Sequence, residues 1–172
     1  MRTKMNPRLL STICLFFGIF AVSGCGLGDS ERPRESKPRA QISVSFPYNL
    51  ERSEERGGHT LERHVARTDD QLRERLAQEG NISAASTWID RKTAEDVVGE
   101  ALAVERSRVD AWRQRGYPRA NLALHYNAGR VIGRSLRRGD TQTVDCTSAV
   151  VVLRADGPDD FYVLTTYPEA RE

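Results

Sequence analysis

The 172-residue chain carries 26 basic and 24 acidic side chains. Three of the basic ones (Arg2, Lys4, Arg8) and none of the acidic ones fall within residues 1–25, so the remainder carries 23 − 24, or −1. Net positive charge is therefore no argument for a nucleic-acid-binding surface. About 120 ordered residues beyond a leader are enough to bury roughly two-thirds of the unfolded surface in one packed core.

The leader comes first. After the basic start, Leu9 to Val22 is an apolar run of 14 residues, "LLSTICLFFGIFAV", followed by Ser23-Gly24-Cys25. A basic region, a short apolar stretch and small residues before a cut form a secretory signal, and the run is short of the roughly 20 residues a spanning helix needs. "VSGC" resembles a bacterial lipobox, which implies that residues 1–24 are a lipoprotein signal peptide and that Cys25 is lipidated. The expected location is the cell membrane or outer membrane, held by a lipid anchor; Gly26, rather than Asp, points to the outer membrane in a cell that has one. Cys14 then leaves with the signal and Cys25 carries lipid, so Cys146 stands alone with no intrachain disulfide to form. Residues 25–50, rich in Pro, Ser, Gly and charge, are expected to be a tether. Residues 51–172 form the domain.

Within it, Leu61 and Val65 lie four apart and predict a short helix over Thr60–Ala66. "TDDQ" at Thr68 is a capping-box pattern opening a helix that runs to about Glu79. An extended segment is expected over Ile82–Ile89. A long helix is expected over Thr93–Arg115, with Ala94, Val97, Val98, Ala101, Leu102, Val109 and Trp112 on its apolar stripe. Strands follow at Leu122–Tyr126, Arg130–Leu136, Ser148–Arg154 and Phe161–Tyr167, with turns at Asn127-Ala128-Gly129 and at Ala155-Asp156-Gly157-Pro158. Helices first and an antiparallel β-meander after them make the fold class α+β.

"GGHTLERHV" holds two histidines five residues apart. Five helical steps turn a net 140° or so, so His59 and His64 share a site only if the Gly57-Gly58 bend re-aims His59. His64, three residues from Leu61, leans toward the buried face. A half-buried histidine bonded to a backbone carbonyl accounts for it on these grounds, and so does a general acid or base. Arg75 flanks the Leu72/Leu76 stripe, where it either reaches over a cleft or covers apolar surface with its stem. Strand alternation puts Phe161, Val163, Thr165 and Tyr167 on one face, so that two hydroxyls lie side by side. His125 is assigned a structural role. There is no phosphate-binding loop, no GxSxG elbow and no metal-spaced Cys/His cluster. Chemistry built from His, Arg and hydroxyl groups without metal or cofactor suits transesterification of RNA.

The segments "GGHTLERHVARTDDQLRERL", "ISAASTWIDRKTAEDVV", "NAGRVIGRSLRRGD" and "FYVLTTYP" resemble the bacterial RNase A-like domain found at the C-termini of contact-dependent growth inhibition effectors. The resemblance implies a ribonuclease A-like kidney shape without disulfides and a metal-independent endoribonuclease that leaves 2′,3′-cyclic phosphate ends. It implies an RNA substrate, a cognate immunity protein and a monomer. It places the catalytic set on His64 (acid/base), Arg75 (phosphate), Thr165 and Tyr167, with His59 as a second proton carrier. Such domains usually end very large secreted effectors, whereas this one follows a lipobox, which implies a membrane-anchored or exported antibacterial toxin. The alternative is a non-catalytic envelope lipoprotein that uses a ribonuclease-like cleft to bind a partner.

Overall fold

The computed structural model describes residues 47–170, which fall within one compact unit, Gln41–Glu172. The expected signal peptide, the expected lipidation site Cys25 and most of the expected tether lie outside the described residues. In chain order the elements are α1 (Glu51–Glu54), α2 (Thr60–His64), α3 (Asp69–Gln78), β1 (Ala84–Trp88), α4 (Arg91–Val104), α5 (Arg106–Arg113), β2 (Leu122–Asn127), β3 (Gly133–Arg137), β4 (Val144–Cys146), β5 (Ser148–Ala155) and β6 (Phe161–Glu169).

Local chemistry explains most of the boundaries. Thr68 accepts from the Gln71 N–H while the Gln71 side chain accepts from the Thr68 N–H, so the expected capping box opens α3. Asp90 caps α4 through the Thr93 N–H. Helix α2 stops at His64 because Val65 turns extended and bridges Trp88 of β1. The long helix expected over Thr93–Arg115 is instead two helices bent at Glu105, whose φ and ψ (−90°, 15°) leave the helical region. No residue from 103 to 108 is buried, so no packed face holds this stretch straight.

The strands form two antiparallel three-stranded sheets, ordered β1-β3-β4 and β2-β5-β6. The class is the expected α+β, but the connectivity is not a simple meander. β1 enters between helices and takes β3 as its neighbour, and the short β4, absent from the expected elements, completes that sheet. The main core lies between the second sheet and α4–α5, where Leu124, Val151, Leu153 and Val163 meet Ala94, Val97, Val98 and Trp112. Leu72 and Leu76 of α3 close a smaller core on Ala85 and Leu136 of the first sheet. Cys146 is buried, and burial pushes its thiol up to about 11.

Two features of β6 position everything else. A register shift opposite Val152/Leu153 makes Leu164 a bulge, pairing Leu153 with Val163 but Val152 with Thr165. Val163 and Thr166 consequently face the core, while Thr165 and Tyr167 turn to the other face. The expected grouping of Phe161 and Val163 with Thr165 and Tyr167 fails at the bulge, although the two hydroxyl residues do share a face. Further along, Pro168 lies on Gly133 of β3, joining the two sheets. A Cβ at Gly133 would come 2.3 Å from Thr87 O and 2.5 Å from Pro168 Cγ. Gly133→Ala is accordingly expected to destabilise the domain by about 3 kcal/mol, read as a lower urea midpoint with an unchanged m-value.

Candidate active site

Four elements converge where β6 leaves its bulge. Gly58 makes the approach possible: a Cβ there would lie 2.8 Å from both Ser53 O and Val163 O, so only glycine lets the α1–α2 link run this close to β6. The next residue, His59, occupies the cap position of α2 and donates its backbone N–H to Leu164 O at 3.0 Å. Thr60 then accepts the Thr166 N–H at 2.9 Å. The Gly57-Gly58 bend thus brings His59 alongside the bulge, next to Thr165, as the sharing of one site requires.

His64 at the end of α2 is only 7% exposed. Its Nδ1 lies 3.2 Å from Ser86 O on β1. A carbonyl has no proton to give, so Nδ1 carries the hydrogen and donates it, leaving Nε2 as the basic nitrogen. The backbone beneath is clamped as well, with Thr87 Oγ1 donating to His64 O at 3.4 Å and accepting the Arg67 N–H at 2.8 Å. Arg75 Nη1 stands 3.5 Å from the same Nδ1, as a neighbouring charge rather than a donor. Burial first and the Arg75 cation second push His64 down to about 3, so the imidazole is neutral at ordinary pH. His59 and Arg63 add smaller pushes in the same direction. His59 is itself lowered, by burial and then by Arg63.

Arg75 is oriented from behind. Glu79, one helical turn on, accepts from its Nε at 3.2 Å. With Nε on Glu79 and Nη1 against His64, Nη2 makes no hydrogen bond within the described residues. The guanidinium borders a cavity of about 200 Å³ that it shares with Arg63, Arg67, Glu62 and Glu79. Tyr167 also approaches His64, with ring centroids 5.5 Å apart. Burial and then Glu169 raise its phenol, which stays protonated. Among the described residues the buried Thr165 hydroxyl has no hydrogen-bond partner, and such groups are few in folded proteins.

His64 is therefore within contact range of both Arg75 and Tyr167. Thr165 and His59 sit beside them on the bulge, and Cys25 lies outside the described residues. His125 is on the surface, 3.4 Å from Glu169. Sequence reasoning missed Ser86 and Glu79. Ser86 acts through a backbone carbonyl and has no sequence signal. Glu79 had one, its four-residue spacing from Arg75.

Helices packed on two antiparallel sheets without a disulfide, with a buried neutral histidine in contact with an arginine and a tyrosine, define a ribonuclease A-like α+β domain. The family described as bacterial CdiA-CT RNAse A domain matches residues 58–168, and the chain belongs to it: this is a ribonuclease toxin domain of the contact-dependent growth inhibition type. A crystal structure of a CdiA-CT/CdiI complex from Y. kristensenii 33638 is similar, at 31% identity and a TM-score of 0.60. The match covers 66% of this chain and all of that one. Among curated proteins there is no match.

Two predictions follow from the electrostatics. Folded His64 stays neutral down to about pH 3, whereas in the unfolded chain it takes up a proton near its ordinary value of 6.5. The unfolded state thus binds more protons between these values, and stability falls as the pH drops from about 6.5 toward 3. A His64→Gln variant is expected to flatten that slope in urea unfolding measured across the range. For Arg75, Glu79→Gln keeps an oxygen acceptor for Nε without the charge, and Glu79→Ala removes both. Glu79→Ala is expected to lower kcat/KM on RNA on the order of tenfold, with Glu79→Gln retaining most of it.

Proposed function

We propose that the domain is a metal-independent endoribonuclease that cleaves RNA by transesterification. The observation that carries this reading is the neutral, buried His64, its tautomer fixed by Ser86 O, standing beside the Arg75 guanidinium. Nε2 of His64 takes the proton of a ribose 2′-hydroxyl. The 2′ oxygen bonds to phosphorus as the bond from phosphorus to the 5′ oxygen breaks, leaving a 2′,3′-cyclic phosphate. Arg75 Nη2 holds a non-bridging oxygen and steadies the charge of the crowded phosphorane. The unpaired Thr165 hydroxyl and the protonated Tyr167 phenol supply further donors to it. His59 is the second proton carrier and protonates the departing 5′ oxygen. The anionic phosphodiester aids both histidines, because its charge offsets that of Arg75 and restores their affinity for protons.

The same reading places the domain in bacterial competition, on a lipid anchor at Cys25 that holds it to the cell membrane or outer membrane. Support for a cognate immunity protein comes from the similar structure, which is a complex of CdiA-CT with CdiI.

The test is to incubate the purified chain with total RNA in EDTA beside a His64→Ala version. Cleavage with 2′,3′-cyclic phosphate ends is expected, with a loss of at least about 100-fold in the variant. A well-folded chain that cleaves no RNA would sink the catalytic reading in favour of a non-catalytic lipoprotein binding module. Activity abolished by EDTA would overturn metal independence alone.

A further inference from the structure

Helix α2 is five residues long and ends on His64. So short a helix does not hold itself together, and its last four carbonyls, from Leu61 to His64, have no partner inside it. The residues that follow supply what is missing. Val65 turns extended and bridges Trp88. Ala66 then takes a left-handed φ of 52°, which a residue with a Cβ adopts only at a cost, and donates its N–H to Trp88 O at 3.2 Å. That reversal carries the half-buried Arg67 back along the helix. Its Nη2 donates to Glu62 O and lies 3.5 Å from Leu61 O, and basic side chains commonly meet the last carbonyls of a helix in this way.

The backbone of Arg67 is held as firmly as its side chain. Its N–H donates to Oγ1 of the fully buried Thr87 at 2.8 Å, the same oxygen that stands 3.4 Å from His64 O. Its carbonyl accepts Arg134 Nη2 at 2.8 Å, while Arg134 Nε pairs with Asp69 at 2.6 Å. Thr87 and Arg134 are cross-strand partners on β1 and β3, so one rung of the first sheet grips both the N–H and the carbonyl of Arg67. Ser86, the neighbour of Thr87, is the residue whose carbonyl fixes Nδ1 of His64. Arg67 thus joins the end of the helix that carries the imidazole to the strand that orients it.

We propose that Arg67 is a positioning residue for His64: it closes the C-terminal end of α2, pins that end to β1, and takes no part in holding RNA. Its place on the wall of the cavity bordered by Arg75 would otherwise mark it as a second phosphate ligand. The two hydrogens of Nη2 are instead spent on two carbonyls of its own chain. This deepens the ribonuclease reading and rests on it.

The experiment has two arms and uses the full-length chain, Arg67→Met, which keeps an apolar stem without donors, and Arg67→Lys, which keeps a cation. In the first arm, kcat, KM and the salt dependence of KM are measured on RNA. Arg67→Met is expected to lower kcat on the order of tenfold, because the general base is no longer held in line, with KM and its salt dependence as in the parent. Arg67→Lys is expected to recover part of the loss, since one ammonium replaces the planar fork only in part. A raised KM whose logarithm depends on log salt less steeply, by about 0.7 in slope, is the mark of a lost phosphate contact and overturns the proposal, as does an unchanged kcat in Arg67→Met. Should Arg67→Met not fold, Arg67→Lys decides by the same readings: a lowered kcat at constant KM supports the proposal, and a changed KM or a parental kcat overturns it.

The second arm needs no catalysis. The imidazole N–H of His64, held on Ser86 O, is followed by proton NMR in water and identified by its loss in His64→Gln. Its exchange with solvent is expected to quicken on the order of tenfold in Arg67→Met and less in Arg67→Lys, as the end of α2 opens locally. Faster exchange in a protein that cleaves no RNA keeps the positioning role and removes only the catalytic reading. Exchange indifferent to both substitutions overturns the positioning role itself.

Discussion

Thr166 ties together the three parts of the chain that build the cleft. It is fully buried, and each of its polar groups is spent on a different element. Its N–H donates to Thr60 of α2 at 2.9 Å, its hydroxyl to Val150 O of β5 at 2.8 Å, and its carbonyl accepts Trp88 Nε1 of β1 at 3.1 Å. In a low-dielectric core each such bond is costly to leave unmade. The N-terminal helix bearing the histidines, the strand whose carbonyl fixes His64 and the sheet bearing Tyr167 are thereby held in one arrangement. Thr165 and Tyr167, the neighbours of this anchored residue, point the other way and inherit its rigidity.

The bulge at Leu164 gives that arrangement its use. Without the extra residue, Thr165 and Tyr167 would follow Val163 into the core, and Thr166 would be outside it. With it, one strand serves the core on one face before the bulge and presents hydroxyls beyond it. The backbone groups freed from the ladder are taken up locally, since Leu164 O accepts the His59 N–H. Irregularity in the strand and the bend at Gly57-Gly58 are thus two halves of one contact, and it draws His59 toward His64. Burial together with the charges of Arg63 and Arg75 lowers the proton affinity of both imidazoles until an anion arrives. Charge on the ligand and proton affinity at the site are therefore coupled by the layout of the cleft.

Much of this was legible in the sequence, for physical reasons that differ by residue. The capping box at Thr68 and the cap at Asp90 are local patterns, and they fix α3 and α4 without tertiary help. The same-face placement of Thr165 and Tyr167 was correct because both lie beyond the bulge, where alternation holds. Val163 was assigned to their face because a bulge depends on cross-strand pairing, which one strand's composition does not encode. The bend at Glu105 is likewise set by the absence of a packed face from 103 to 108, not by a breaker residue. Ser86 was out of reach because a backbone carbonyl is common to every residue. The partition of six strands into two sheets was hidden by β1, which is separated from β3 by two helices.

Cys146 shows what the architecture does without. Its thiol is buried, held at about 11, and has no partner to oxidise with in the domain. Every constraint that holds the cleft is a hydrogen bond, a packed face or a close glycine contact, and none is a covalent cross-link. A chain braced in this way keeps the same fold in an oxidising space and in a reducing one. Passage between two such compartments would require no bond to be made or broken on arrival.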